Sequence, residues 1–429
     1  MFNSFRSGYP KQFKNFSDHE FLVLGRMLKS SQDGIFSAGG FCGRCIISDT
    51  LRIEVQLHFS GYLDGGMPCP DFKPYKSQIG LQGMLYSFFD MISPFSKATN
   101  LFILRSMNAL LLALMITLLI YWFYLEGGLL AALMVFLAAI LSPWLTYIGR
   151  NMWFVLWVSF LPLIVMSFGL RQAGMTGRPR HSMVILFTSL AMLFNFYLHG
   201  YEWAITTMVM AAVPVFFYWQ KDGWRMLELF RRLVALTIGI IAGLVVTMSI
   251  VAFQISTLTG KFSDGIGHII YSFAKRSYGG IENLPDKLIP AVQSNVFELI
   301  HSYLSAIAFL TPGFILNIIP SCPGSVSFYQ IIALFLVITL FIVLKGKPLR
   351  FREGSLKKLT TFAIVTWLSI LAPLSWIFIF KGHSYMHLFM NPVTWFMPFC
   401  LFGFGLTGLT IQSLKMRKSE DATAKLQKP

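Results

Sequence analysis

Leu101–Tyr124 reads LFILRSMNALLLALMITLLIYWFY and carries one charge, Arg105, near its start. About 20 residues of helix cross the ~30 Å hydrocarbon layer of a bilayer. Backbone groups find no water there, so a crossing segment must be a helix or part of a closed barrel. The stretch therefore reads as a membrane-spanning helix. Working outward, comparable runs recur at approximately 101–124, 127–148, 152–170, 182–198, 203–219, 234–258, 329–345, 359–380 and 394–414. The fold class that follows is all-α, a polytopic membrane helix bundle of about nine spans whose outer loops carry short interfacial helices. Composition agrees: 55% of residues are hydrophobic and 13% charged, where soluble domains carry about 25% charged. Ile79–Ile92 (IGLQGMLYSFFDMI) is too short and amphipathic to span, and suits a helix lying along the interface.

Charge orients the bundle. Residues 171–181, 220–233, 345–358 and 415–429 fall alternately on one side and hold 18 Lys and Arg against five acids. That side reads as cytoplasmic, and it carries most of the net charge of +16. The excess marks the cytoplasmic edge of a membrane protein and not a nucleic-acid surface. The other side receives residues 1–100, turns near 149–151 and 199–202, the long loop 259–328, and 381–393. These segments are nearly charge-balanced, as exoplasmic segments should be. The chain divides into a first exoplasmic loop (1–100), a six-span bundle (101–258), a large exoplasmic loop (259–328), a three-span bundle (329–414) and a cytoplasmic tail (415–429). Nine spans with an inside C-terminus leave the N-terminus outside, and the first 20 residues show no signal peptide. A further helix upstream of residue 1 is expected.

Ionisable groups at a membrane edge are functional candidates by default. Away from the basic anchors they are few. Asp18 and Glu20 open the amphipathic run SDHEFLVLGRMLKSSQDGIFS (17–37); Arg150 lies in the turn YIGRNMW, and His199 and Glu202 in YLHGYEW. Lys381, His383 and His387 lie in KGHSYMH, with aromatic residues interleaved throughout. All fall on the exoplasmic side; Glu126 alone sits in a short cytoplasmic turn. Carboxylates beside Arg, Lys and His at a lipid boundary suit transfer chemistry. A carboxylate takes the proton of an attacking hydroxyl, and cations hold a phosphate leaving group as its charge develops. Plainer roles compete. Ser17 and Asp18 could cap a helix, Arg150 could snorkel to headgroups, and Glu202 could simply be solvated. His383 and His387 would share a helical face, but no further ligands are spaced to complete a metal site, so none is assigned and metal dependence stays open.

Cys42, Cys45, Cys69 and Cys322 fall on the exoplasmic side, where disulfides persist. One or two structural bridges are expected, their pairing undetermined; Cys400 reads as lipid-embedded core. The lone Cys42-Gly-Arg-Cys45 lacks the βαβ surroundings of a redox motif.

The order of these features resembles the GT-C glycosyltransferase superfamily, its protein O-mannosyltransferase and aminoarabinose transferase branch in particular. SDHEFLVLGRMLKSSQDG is similar to that branch's DExxYxxxAREML-x-SGD helix, with Asp18, Glu20, Gly25-Arg26-Met27-Leu28 and Asp33 in matching order. Lys73-Pro74-Tyr75 stands where a KPPL-type segment occurs, followed by SQIGLQGMLYSFF. LFILRSMNAL stands for an AARLPSAL-like string, with Arg105 at its Arg, and Tyr147-Ile-Gly-Arg150-Asn151 for a later Arg-bearing turn. The resemblance covers roughly residues 15–260. Asn151 stands where a carboxylate is frequent, which argues against a metal role there. Gln78 and Gln82 and the cysteines of 42–69 also depart from the pattern. The resemblance implies a bacterial-type inner-membrane enzyme moving a sugar from a polyprenyl-phosphate-linked donor to a glycan, lipid or protein acceptor of the cell envelope, at the exoplasmic face. Asp18 would be the catalytic acidic position with Glu20 next, and Arg150, His199 or His383 would contact the phosphate. On this reading Asp18→Asn and Glu20→Gln should each fold, and at least one should abolish transfer. Rival readings are an O-antigen polymerase or ligase working through the long loop, a lipid-glycan transporter, and a structural membrane protein. A transporter should carry charges midway through its spans and an internal repeat, and neither is visible.

Overall fold

The computed structural model describes residues 19–48, 51–176, 181–279, 286–310, 324–345, 353–388 and 390–426. Asp18 and Cys322 lie outside the described residues. The architecture is an all-α polytopic bundle, with two small two-stranded antiparallel sheets set into its loops.

The first segment folds as α1 (Glu20–Asp33), α2 (Leu51–Leu63) and α3 (Leu81–Ile92), with β1 (Gly43–Cys45) paired to β2 (Phe72–Pro74). Helix α1 stands where the 17–37 pattern predicts one, but it is not a half-wet amphipathic helix. Phe21 to Leu28 are buried without a break. Arg26 is fully buried, and its guanidinium closes the loop that follows. It donates to Ser30 Oγ (2.9 Å), Ser37 Oγ (2.6 Å) and the carbonyls of Gly34, Ser37 and Phe41. Five donors in a fixed fork suit such a loop of carbonyls. Gly25 is the close-approach point: a Cβ there would sit 2.2 Å from the Gly43 carbonyl oxygen of β1. Gly25→Ala is expected to cost about 1–3 kcal/mol through overpacking, read as a lower melting temperature in detergent; an unchanged melt would mean that β1 moves aside freely.

Cys45 and Cys69 form a disulfide, while Cys42 and Cys400 are buried thiols. The bridge closes a sequence separation of 24 residues, for which chain-entropy loss in the unfolded state amounts to about 3 kcal/mol. The Cys45→Ser, Cys69→Ser double variant should unfold earlier by that amount, and a reductant should reproduce the loss in the unsubstituted protein. Burial pushes the Cys42 thiol up to about 12, so it stays protonated and inert.

The bundle follows as α4 (Lys97–Gly127), α5 (Leu129–Leu141), α6 (Pro143–Gly149), α7 (Trp157–Thr176), α8 (His181–His199), α9 (Ala204–Asp222) and α10 (Met226–Thr259). Beyond it lie α11 (Phe262–Arg276), α12 (Ile289–Gln293) and α13 (Val296–Ser305), then β3 (Ile307–Leu310) paired to β4 (Ser325–Ser327). The last helices are α14 (Phe328–Lys345), α15 (Glu353–Ser369), α16 (Leu371–Ile379), α17 (Lys381–Met386) and α18 (Phe399–Leu426). Helix α7 packs between α8 and α9, α10 lies along α8, and α18 runs against α5 and α15.

Each of the nine expected spans overlaps helix, but the number that meets the demands of a crossing is smaller. Among the described residues six helices are long and apolar enough, or seven if the bent pair α5–α6 is one span. The differences have physical causes. Helix α9 is largely buried and ends in Gln220-Lys221-Asp222, so its composition is that of an interior helix. Helix α14 is short, its apolar part being Phe328–Leu344. The chain is thus a multi-pass integral membrane protein. Helix α3 sets Leu85, Phe88, Met91 and Ile92 outward, and turns Gln82, Tyr86, Ser87 and Asp90 inward. This outward apolar face is what an interfacial helix presents to lipid.

At the end of the bundle where α4 stops, Glu126 is buried and gathers charge from two other helices. Arg171 of α7 and Lys221 of α9 (2.7 Å) ion-pair with it, and Tyr218 of α9 donates to it (3.1 Å). Trp122 in turn donates to the Tyr218 hydroxyl (3.1 Å). The opposite end holds the other polar residues singled out in the sequence.

Candidate functional site

Three chain reversals build that opposite end. Ser142-Pro143 is the first. Ser142 accepts from the Leu145 amide (3.3 Å) as an N-cap, and Pro143 begins α6 where its missing N–H costs nothing. The result is a 63° bend between α5 and α6. Beyond α6, Asn151 Oδ1 accepts from the Trp153 (2.8 Å) and Phe154 (3.1 Å) amides. That local bonding folds 151–154 into a tight strip instead of a further helical turn. The second reversal joins α8 to α9 through Gly200 (φ +76°) and Trp203 (φ +51°), both left-handed, and sets Glu202 between them. Trp203 is held there by stacking on Phe154 and by donating to Asn391 Oδ1 (2.8 Å). The third separates α16 from α17 at Phe380, and the Gly382 amide donates to the Ser277 carbonyl (3.1 Å), just past α11.

These reversals meet at Glu202, which is 8% exposed. Its Oε1 lies 3.8 Å from His383 Nε2, Trp153 donates to it, and Arg276 acts on it electrostatically. Burial pushes the Glu202 carboxyl up to about 7, against the opposing pull of Arg276 and the Trp153 bond. Arg276 donates to the Tyr75 hydroxyl (2.8 Å) and to the Ser272 carbonyl (3.0 Å). The His383 and His387 rings are 4.4 Å apart, and His19 lies 5.6 Å from His387 and 6.1 Å from Trp153. Burial, then neighbouring positive charge including Arg276, hold both His383 and His387 well below the usual histidine range, His387 at about 3. The imidazoles are therefore neutral beside a carboxyl that titrates near neutrality.

The residues singled out in the sequence distribute as follows. Glu202, His383 and His387 share this cluster. His199 packs beside it against Trp203 and bonds the Phe154 carbonyl. Glu20 borders it by another route. Its Oε1 accepts from the Met152 amide (3.0 Å) and its Oε2 from Arg105 Nε (3.0 Å), so the carboxylate ties α1 and α4 to the 151–154 strip. Lys381 is buried over the Tyr278 ring (4.9 Å), with α17 packed on α11. Arg150 stands at the border of an apolar crevice of about 310 Å3 between α4, α5 and α6, lined among others by Leu112, Ile116, Phe136 and Leu145. Asp18 is outside the described residues, but its neighbour His19 is at the cluster.

Three members were not legible beforehand. Arg276 ends an amphipathic helix of the long loop, and nothing in SFAKRSYGG separates it from Lys275. Tyr75 belongs to the Lys73-Pro74-Tyr75 segment, where only its position was noted. His19 stands between the two carboxylates that drew attention. Among the described residues no three His, Cys, Asp or Glu side chains are grouped to hold a metal ion. No family of known proteins, no curated protein and no solved structure matches this chain.

Proposed function

We propose that the protein is a membrane glycosyltransferase that moves a sugar from a polyprenyl-phosphate donor to a cell-envelope acceptor, and that Glu202 is its general base. One observation carries this reading: a buried carboxyl titrating near 7 sits between a neutral imidazole and a guanidinium, at the end of a lipid-embedded bundle. A base poised near the working pH is what abstraction from a hydroxyl needs. Glu202 would take the acceptor's hydroxyl proton as its oxygen bonds to the anomeric carbon. The bond from that carbon to the phosphate oxygen breaks with inversion. The phosphate leaves with its electron pair and is held by Arg276, with Tyr75 beside it. The apolar crevice bordered by Arg150 offers the donor's tail a seat three residues before Trp153. On the orientation drawn from Lys and Arg placement, the cluster faces the exoplasm, where lipid-linked sugars are used.

The resemblance puts the base at Asp18 instead, and comparing variants separates the two. In lipid nanodiscs supplied with labelled polyprenyl-phosphate sugars, Glu202→Gln should lose transfer and Asp18→Asn should keep most of it. The opposite pattern would move the base to Asp18. No protein-dependent consumption of any such donor would remove the transferase reading and favour transport or a structural role.

A further inference from the structure

A buried base that takes a proton must also release it before the next turnover. Glu202 is 8% exposed, and its Oε2 is buried without a hydrogen-bond partner among the described residues. We propose that His383, His387 and His19 form a relay that carries the proton from Glu202 to the edge of the protein. The relay deepens the transferase reading and rests on it for its purpose.

Geometry supplies the path. Glu202 and His383 are 3.8 Å apart at their nearest polar atoms, a gap that a small side-chain rotation closes. Ring separations of 4.4 Å and 5.6 Å continue to His387 and His19. From His383 onward burial decreases: His383 is 3% exposed, while His387 and His19 are half-buried. Neither ring nitrogen of His383 has a hydrogen-bond partner among the described residues, so both are open to receive and to donate. An imidazole that gains a proton on one nitrogen can shed the proton of the other, so each ring ends neutral with its tautomer exchanged. One proton moves from the Glu202 carboxyl to His383, one from His383 to His387, one from His387 to His19, and one from His19 to water. No other bond changes.

The surroundings favour passage over storage. Facing the histidines are Arg276 and Lys275 from the end of α11, Glu202 from the α8–α9 turn, and the edge of Trp376 from α16. The two cations disfavour a resting imidazolium. Glu202 is the one acid in this set and the source of the proton.

Hydrogen–deuterium exchange of the Glu202 carboxyl, followed by infrared spectroscopy, tests the relay without substrate. The band is assigned by its loss in Glu202→Gln, and exchange is started at pH 6 by perfusing reconstituted protein with deuterated buffer. His383→Gln and His387→Gln should slow exchange by about tenfold or more, in line with typical losses of a positioned proton carrier. Added imidazole should restore His387→Gln. The same exchange rate in both variants as in the unsubstituted protein would overturn the relay. If His387→Gln fails to fold, His19→Gln at the half-buried end gives the same test, and His301→Gln, on the exposed face of α13, is the control that should exchange normally. In the transfer assay His387→Gln should lower kcat with little change in KM. Exchange slowed in the histidine variants, with no transfer by the unsubstituted protein, would keep the relay and reject the transferase.

Discussion

Glu202→Gln is expected to abolish transfer, by about 10²–10⁴-fold, while making the protein more stable above pH 7. The second half follows from linkage. In the unfolded chain this carboxyl titrates near 4.5, and in the fold at about 7, because burial opposes its charge. The folded state therefore holds the proton more firmly between those values. The contribution to stability is complete below pH 4.5 and is lost as pH rises through 7. Gln presents a neutral amide of the same shape at every pH and escapes that loss. The difference between variant and parent should be under about 1 kcal/mol at pH 5 and grow to about 3 kcal/mol at pH 8. Glu202 is too buried for solvent screening to erase it. In the active protein the same titration should make kcat/KM rise with pH through about 7, since the base works only when ionised. Melting curves at pH 5 and 8 beside a transfer assay read all three quantities. A pH-independent stability difference, or transfer that survives amidation, would deprive Glu202 of the role proposed for it. A side chain that weakens the fold at working pH is one retained for chemistry.

Glu20→Gln should have the opposite profile, a large loss of stability. The sequence alone makes Glu20 a candidate catalytic carboxylate at the membrane edge, whose amidation should spare the fold. The structure buries it against Arg105, itself only 13% exposed by side chain, with the Met152 amide on the second oxygen. Removing one member of a buried ion pair leaves the other charged without compensation, at about 3–5 kcal/mol. Replacing both, as Glu20→Met with Arg105→Met, should recover much of that loss, because paired apolar side chains need no desolvation of charge. A single variant as stable as the parent, or a double variant weaker than the single, would contradict the latch. The expected loss of transfer in Glu20→Gln would then track the folded fraction, since Glu20 positions the 151–154 strip through its Met152 bond.

The helical architecture was readable because each crossing needs an uninterrupted apolar run. The shortfall from nine spans to six or seven came from a bend (α5–α6), a short helix (α14) and a helix whose apolar residues face protein (α9). Hydropathy does not distinguish burial in protein from burial in lipid, as α9 demonstrates. Helix α1 failed in a related way. Leu22, Leu24, Met27 and Leu28 suggest one wet face, but Arg26 is buried too, and its loop of carbonyl partners appears only when residues 34–41 fold over it. The site was half legible. Glu202, His383 and His387 stood out as polar residues in tight turns between apolar runs, and the turns do bring them together. Arg276 lay in a long loop of ordinary polarity, about 75 residues from Glu202 and 105 from His383, so only tertiary structure could deliver it. The Cys45–Cys69 pairing is a further case: Cys42, Cys45, Cys69 and Cys322 permit several connectivities.

The carboxylate at the far end, Glu126, gives the molecule a mechanical polarity. Three helices are stapled there by two ion pairs and a tyrosine, whereas at the histidine end the Glu20–Arg105 pair ties α1 to α4 beside a cluster of neutral rings and short reversals. On the proposed function, a donor arriving from the lipid would meet its acid and imidazoles at the end of the bundle remote from that staple.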